Sequence, residues 1–206
     1  MKERPILFSG EMVRAILDGR KTQTRRVCKV AYHAGEWAHA AHPARDGMPV
    51  FWWDGADGRS IPGRAEFTQQ AYETGAVCPY GQPGDRLWVR ETWNCIDTGR
   101  ATQQQDWVRY RATDGEEMYW RSSIHMPRWA SRITLEVVGV RVERIQDISE
   151  ADAWAEGVTP AVSVIIPHDA ARRSFSGLWD SINAQRGYGW DANPWVWVVK
   201  FKQVTE

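Results

Sequence analysis

Apolar and polar positions change period several times along this chain, and each change marks an element. "PILFS" at 5–9 is a short apolar run that reads as a strand. Directly after it, Val13, Ile16 and Leu17 recur at helical spacing with Met12 alongside. Ser9 is placed to cap that helix, Glu11 suits its positive first turn, and Gly19 supplies a left-handed residue to end it. "TQTRRV" (22–27) then alternates as a strand, with Thr22, Thr24 and Arg26 on one face and Gln23, Arg25 and Val27 on the other. Lys21 has the wrong parity for the threonine face. It approaches Thr24 only if the turn at Gly19–Arg20 re-aims it.

Over 29–82 the pattern lapses. This stretch is rich in Ala, Gly, Pro and Asp, holds three histidines, and reads as a long irregular insertion with a hairpin around 49–61. Loops of that length are commonly functional. Regular structure resumes at "PGDRLWVRETW" (83–93), where Pro-Gly-Asp forms a tight turn and Leu87 and Val89 alternate with Trp88 and Arg90. "WVRYRAT" (107–113) alternates likewise, and "DGEEMYW" (114–120) reads as a turn into another strand. "SRITLEVVGVRVERI" (131–145) is the strongest strand signal, either two strands or one bent at Gly139. Two helices follow. One covers 149–160, capped by Ser149 and closed by Gly157 and Pro160; the other covers 170–185, with Phe175, Leu178, Trp179 and Ile182 along one stripe. "PWVWVVKFKQV" (194–204) is a mostly apolar, central strand. About six strands and three helices without βαβ regularity predict an α+β fold: a small mixed β-barrel with packed helices, one domain over 1–206, interrupted at about 29–82.

Charge narrows the function classes. Lys and Arg together number 26, as do Asp and Glu, so a general polyanion-binding chain is excluded and nucleic-acid contacts require a local patch. The 13 tryptophans offer area for burial and faces for stacking. Three cysteines without close pairing, no leader-like start and no apolar run of membrane-spanning length predict a soluble cytoplasmic protein with no membrane partner. Cys28, His33, His39, His42 and Cys78 lack the paired spacing of a metal site, and no phosphate-cradling glycine loop or Gly-x-Ser-x-Gly elbow occurs, so neither metal nor cofactor is expected.

Two clusters carry candidate chemistry. "GRKTQTRR" (19–26) puts Lys21 and Thr24 beside three arginines. A lysine can take a hydroxyl proton only if its pKa falls, and burial plus neighbouring cations lower it. The bland reading is a solvated turn leading into a threonine-rich strand. "WRSSIHMPRWASR" (120–132) holds Arg121, His125, Arg128 and Arg132 among serines and tryptophans, suited to phosphates and bases, or else to a basic surface loop. Glu156, in the last turn of a helix, faces the negative end of the dipole, which implies a cationic partner.

Gly19, Lys21, Thr22, Thr24 and Arg26, with Pro83-Gly84-Asp85 and "AWAEGVT" (153–159), resemble the ASCH domain, a branch of the PUA-like superfamily of compact RNA-associated β-barrels. The chain is similar to the longer ASCH-like proteins of phages and prophages, with the 29–82 insertion outside the resemblance. Within that family the Gly-Arg-Lys-Thr-x-Thr-x-Arg stretch resembles bacterial N4-acetylcytidine amidohydrolases. The resemblance implies Lys21 as general base, Thr24 as nucleophile and Glu156 as positioner, with Arg26 and Thr22 on the substrate and a modified nucleoside or RNA as partner. Other ASCH-like proteins imply a non-catalytic RNA-binding module or an RNA-cleaving protein, so those alternatives stand beside it.

Overall fold

The structure, a computed structural model, describes residues 1–28, 37–43, 49–53, 78–95, 107–115, 119–159 and 168–204, with 37–43 and 49–53 described by backbone alone. Its centre is a five-stranded mixed sheet ordered β1 (Glu3–Leu7), β5 (Arg86–Arg90), β8 (Thr134–Arg144), β9 (Trp195–Gln203), β2 (Gln23–Val27). The β1–β5 pair is parallel and the rest antiparallel. Two small antiparallel pairs stand apart, β3 (Trp37–Pro43) with β4 (Pro49–Trp53) and β6 (Trp93–Cys95) with β7 (Val108–Tyr110). With three α-helices among the described residues, α1 (Gly10–Leu17), α2 (Glu150–Ala155) and α3 (Ala170–Asn183), the fold is α+β.

The barrel expected from the sequence takes the form of a curled sheet. No backbone pairing joins its edge strands among the described residues, yet the edges come within reach, because Arg26 Nη2 on β2 donates to the Leu7 carbonyl on β1 at 2.6 Å. Helix α1 links these edges. Its Val13 and Ile16 enter a core with Ile6, Phe8, Leu87, Val89, Leu135, Val137, Trp197, Val199 and Phe201. Ser9 caps α1, with Met12 N donating to its hydroxyl at 3.5 Å, and Gly19 follows at φ 71°.

Strand β8 is one strand carrying a bulge between Val137 and Gly139. One extra residue exchanges the two faces of a strand. Leu135 and Val137 therefore face the inner core before the bulge, and Val142 does so after it. Arg141 and Glu143 are thereby turned to the outer face, where β9 contributes Val196 and Val198. Helices α2 and α3 cover that face through Ala153, Ala171, Phe175 and Trp179.

Three expectations shift. Ile182 is 50% exposed; the buried stripe of α3 runs Ala171, Phe175, Trp179, Asn183. Pro49–Trp53 is a strand as read, but its partner is Trp37–Pro43, upstream of it, and 54–61 lies outside the described residues. In 107–113 the strand covers only Val108–Tyr110, with turns after it. The Pro-Gly-Asp turn has a tertiary role that composition did not disclose. Buried Asp85 accepts from Lys2 N (2.7 Å), Arg4 Nη1 (2.7 Å) and Gln82 N (3.3 Å), fastening the chain's start to β5. Burial alone would raise its carboxyl, but these donors outweigh it and hold it below the ordinary value.

Candidate active site

Because strand faces alternate, β2 presents two chemistries. Thr24 pairs with Val199 and Arg26 with Trp197, both inner-core residues, whereas Arg25 pairs with Val198 of the outer face. Lys21 precedes the strand and forms an isolated bridge with Glu156, the residue capping the C-terminus of α2. Backbone bonds seat this junction. Lys21 N donates to Ala15 O and Thr22 N to Ala155 O, both at 2.9 Å. Gly157, at φ 82°, permits the approach: a Cβ there would lie 2.8 Å from the Cβ atoms of both Ala15 and Lys21.

Lys21 is buried, and its Nζ donates to the Glu156 carbonyl at 2.7 Å and to Oε2 at 2.9 Å. Lys21 Nζ lies 5.5 Å from the centroid of the Phe8 ring, and the Arg26 guanidinium carbon lies 5.2 Å from the same ring. Lys21 thus shares Phe8 with Arg26, its neighbour on the Thr24 face. An ammonium has three N–H donors, and Glu156 takes two. No hydrogen bond joins Lys21 to Thr24, and the third donor, the Thr24 hydroxyl and the buried Nε of Arg26 all lack hydrogen-bond partners among the described residues.

Burial drives the Lys21 pKa below the ordinary lysine value; Glu156 opposes this, and Arg26 and Arg25 reinforce it. Of the three arginines expected to crowd Lys21, Arg20 is elsewhere, bonded to Asp18, the Gly157 carbonyl and Thr159. Burial also lowers Arg26, against Tyr80 and Glu156, which favour its charge.

Thr22 is exposed and lines a cavity of about 510 Å³ with Arg20, Trp154, Ala155, Val158 and Thr159. A second cavity of about 430 Å³ lies between α1, the end of α2 and α3. Neither is lined by Lys21 or Thr24.

The 120–132 cluster is committed differently. Arg132 makes a two-pronged pair with buried Glu91 (2.9 and 3.0 Å) over the Tyr110 ring. Arg128 pairs with Glu3 at 2.9 Å, both half-exposed. Arg121 lies over the Trp93 ring, and His125 is exposed in a short turn. Two of the three expected phosphate donors already hold carboxylates. Burial raises the Glu91 carboxyl, with Arg132 opposing.

Sequence reasoning missed that Glu143 and Asp152 join Glu156 around Arg25. Its Nη1 donates to Glu156 Oε1 at 3.0 Å, Nε to Glu143 Oε1 at 2.9 Å and Nη2 to Asp152 Oδ2 at 3.2 Å, with a further Nη2 bond to Glu143. Arg141 closes the network on Glu143 and Asp152. Of the metal candidates, His33 lies outside the described residues, and no group of three or more His, Cys, Asp or Glu is placed to hold a metal among the described ones. No described helix is long and apolar enough to cross a membrane.

No family model matches the chain, and no curated protein matches its sequence. Two solved structures are similar to it. One is a protein from Enterococcus faecalis V583 of the DUF984 family, 9% identical at TM-score 0.43, covering 99% of this chain and 81% of that one. The other is an ASCH domain from Lactobacillus crispatus JV V101, 12% identical at TM-score 0.39, covering 98% of this chain and 79% of that one. The chain's chemistry is therefore read from its own residues.

Proposed function

We propose that this chain is an ASCH-type amidohydrolase that removes the acyl group from N4 of an acylated cytosine nucleoside or base. The observation that carries this reading is the pair of cations at the Phe8 ring, flanking the strand position of Thr24: buried Lys21, with one donor beyond the two that Glu156 takes, and Arg26, whose buried Nε has no hydrogen-bond partner among the described residues. Burying a polar atom such as Arg26 Nε without a partner costs free energy, and a ligand bound there would supply the missing bond.

In the proposed reaction the neutral Lys21 amine takes the Thr24 hydroxyl proton as the oxygen attacks the acyl carbon. Arg26 Nε donates to the carbonyl oxygen as it gains charge. The C–N4 bond then breaks, the proton held by Lys21 passes to the departing amine, and an acyl ester remains on Thr24. Water hydrolyses that ester, releasing the carboxylic acid and restoring the hydroxyl. Glu156 anchors the amine throughout. Along β2 burial relaxes from Thr24 to half-buried Arg26 and Val27, so the acyl group approaches from the Arg26 end.

The alternative of an RNA-gripping loop is less well supported, because Arg128 and Arg132 are paired with Glu3 and Glu91. One assay separates the readings. Purified protein is given N4-acetylcytidine and, separately, a short RNA. The expected result is acetate release that falls by about 10²–10⁴-fold in Thr24→Ala, with the circular dichroism spectrum retained. Undiminished release by Thr24→Ala removes the nucleophile, and shortened RNA without acetate selects cleavage.

A further inference from the structure

We infer that Arg25 is a positioning residue for Glu156: it holds one carboxylate oxygen so that the other stays on Lys21, and it supplies the counter-charge that lets Lys21 become neutral. This deepens the amidohydrolase reading and rests on it.

The Glu156 carboxylate is shared between two cations. Oε1 accepts from Arg25 at 3.0 Å and Oε2 from Lys21 at 2.9 Å, so rotation of the carboxylate breaks a charge-assisted bond on either side. The Arg25 side chain has no exposed area, and its planar fork is itself fixed by Glu143 and Asp152, which Arg141 ties together from the outer side. Helix α3 adds the Phe175 ring 5.9 Å from the guanidinium. The Glu143 and Arg141 contacts depend on the β8 bulge, which turns both residues to the face where Arg25 lies.

Charge balance gives the device its purpose. Lys21, Arg25 and Arg141 stand against Glu143, Asp152 and Glu156. A base must lose its proton, and a buried Glu156 paired with Lys21 alone would then be an uncompensated anion, which strongly favours keeping the proton. With Arg25 on Oε1 the carboxylate keeps a permanent cation when Lys21 turns neutral. Among the described residues the other charged or titratable groups about Lys21 are Arg26 on β2 and, beside Arg26, Tyr80 in the loop before β5.

The test reads Lys21 directly. Protein labelled with ¹³C at lysine Cε is titrated by NMR, and the Lys21 resonance is assigned by its loss in Lys21→Arg. Arg25→Met raises the Lys21 midpoint by about one pH unit or more, and Arg25→Lys brings it back to within about half of that shift. The pH limb of acetate release moves by the same amount. Because Arg25→Met leaves Glu143 facing an empty fork and can fail to fold, the double variant Arg25→Met, Glu143→Gln removes both charges and is titrated in parallel. A folded Arg25→Met whose Lys21 midpoint stays at the wild-type value, or a double variant whose midpoint equals that of Glu143→Gln alone, overturns the inference. The midpoint decides the role of Arg25 whether or not the wild type releases acetate, so this inference and the amidohydrolase reading fail separately.

Discussion

Two arginine-rich segments of this chain, 19–26 and 120–132, look alike in composition and end in opposite circumstances. In the first, Lys21 and Arg25 are each 4% exposed and share one carboxylate from a helix C-terminus. In the second, Arg128 pairs with Glu3 at the surface, and Ile124 and Trp129 beside it are exposed. The contrast teaches that the density of cations does not make a site. What separates the two is where the acids come from: Glu156, Asp152 and Glu143 converge on 19–26 from α2 and β8, on the outer side of β2, and leave Arg26 Nε on its inner face without a hydrogen-bond partner among the described residues. Around 120–132 Glu3 and Glu91 pair with two of the three arginines, Arg128 and Arg132, and Arg121 lies over Trp93.

The comparison breaks most sharply at Glu156. Glu156→Ala strands two buried cations and is expected to destabilise the fold by about 3–5 kcal/mol, read by urea denaturation. A loss under about 1 kcal/mol contradicts the view that this carboxylate holds the region together. Next is pH. Burial, Arg26 and Arg25 lower Lys21 below the ordinary value despite Glu156, and a base works unprotonated. Acetate release therefore climbs about tenfold per pH unit and levels off below pH ~10.4, and Lys21→Arg abolishes that limb. Stability carries the same sign. Between the depressed folded value and the unfolded one, the unfolded chain binds more protons, so this contribution to stability rises with pH. A rate limb that continues past the ordinary lysine value contradicts the assignment. The smallest effect belongs to Arg128→Ala: the Glu3 pair is half-exposed and its loss is worth about 0–1 kcal/mol in the same denaturation experiment. A cost rivalling that of Glu156→Ala would erase the distinction between the two segments.

Much of the fold was legible because its signals are local. Ser9, Gly19, Ser149 and Gly157 mark helix ends through bonds within a few residues, and Ser149 does cap α2, accepting from Asp152 N at 3.1 Å. Alternation in 22–27 fixed the faces of β2, and Gly139 marked the irregularity in β8. Glu156 was legible for a related reason: an anion at a helix C-terminus implies a cation, and the structure supplies Lys21 and Arg25. The role of Arg25 was not legible. Its acids lie 118, 127 and 131 residues away in the chain, and no periodicity reports which distant face meets which. The same limit misled the stripe of α3: Ile182 fits helical spacing, but the sheet below it decides which side of the helix is covered.

The central claim is that Thr24 becomes acylated while Lys21 holds its proton. Brief reaction with N4-acetylcytidine, acid quenching and peptide mass spectrometry test it most directly. The account predicts an acetyl group on the Thr24 peptide in the wild type and none in Thr24→Ala. Steady acetate release with an unmodified Thr24 peptide at every quench time would contradict it.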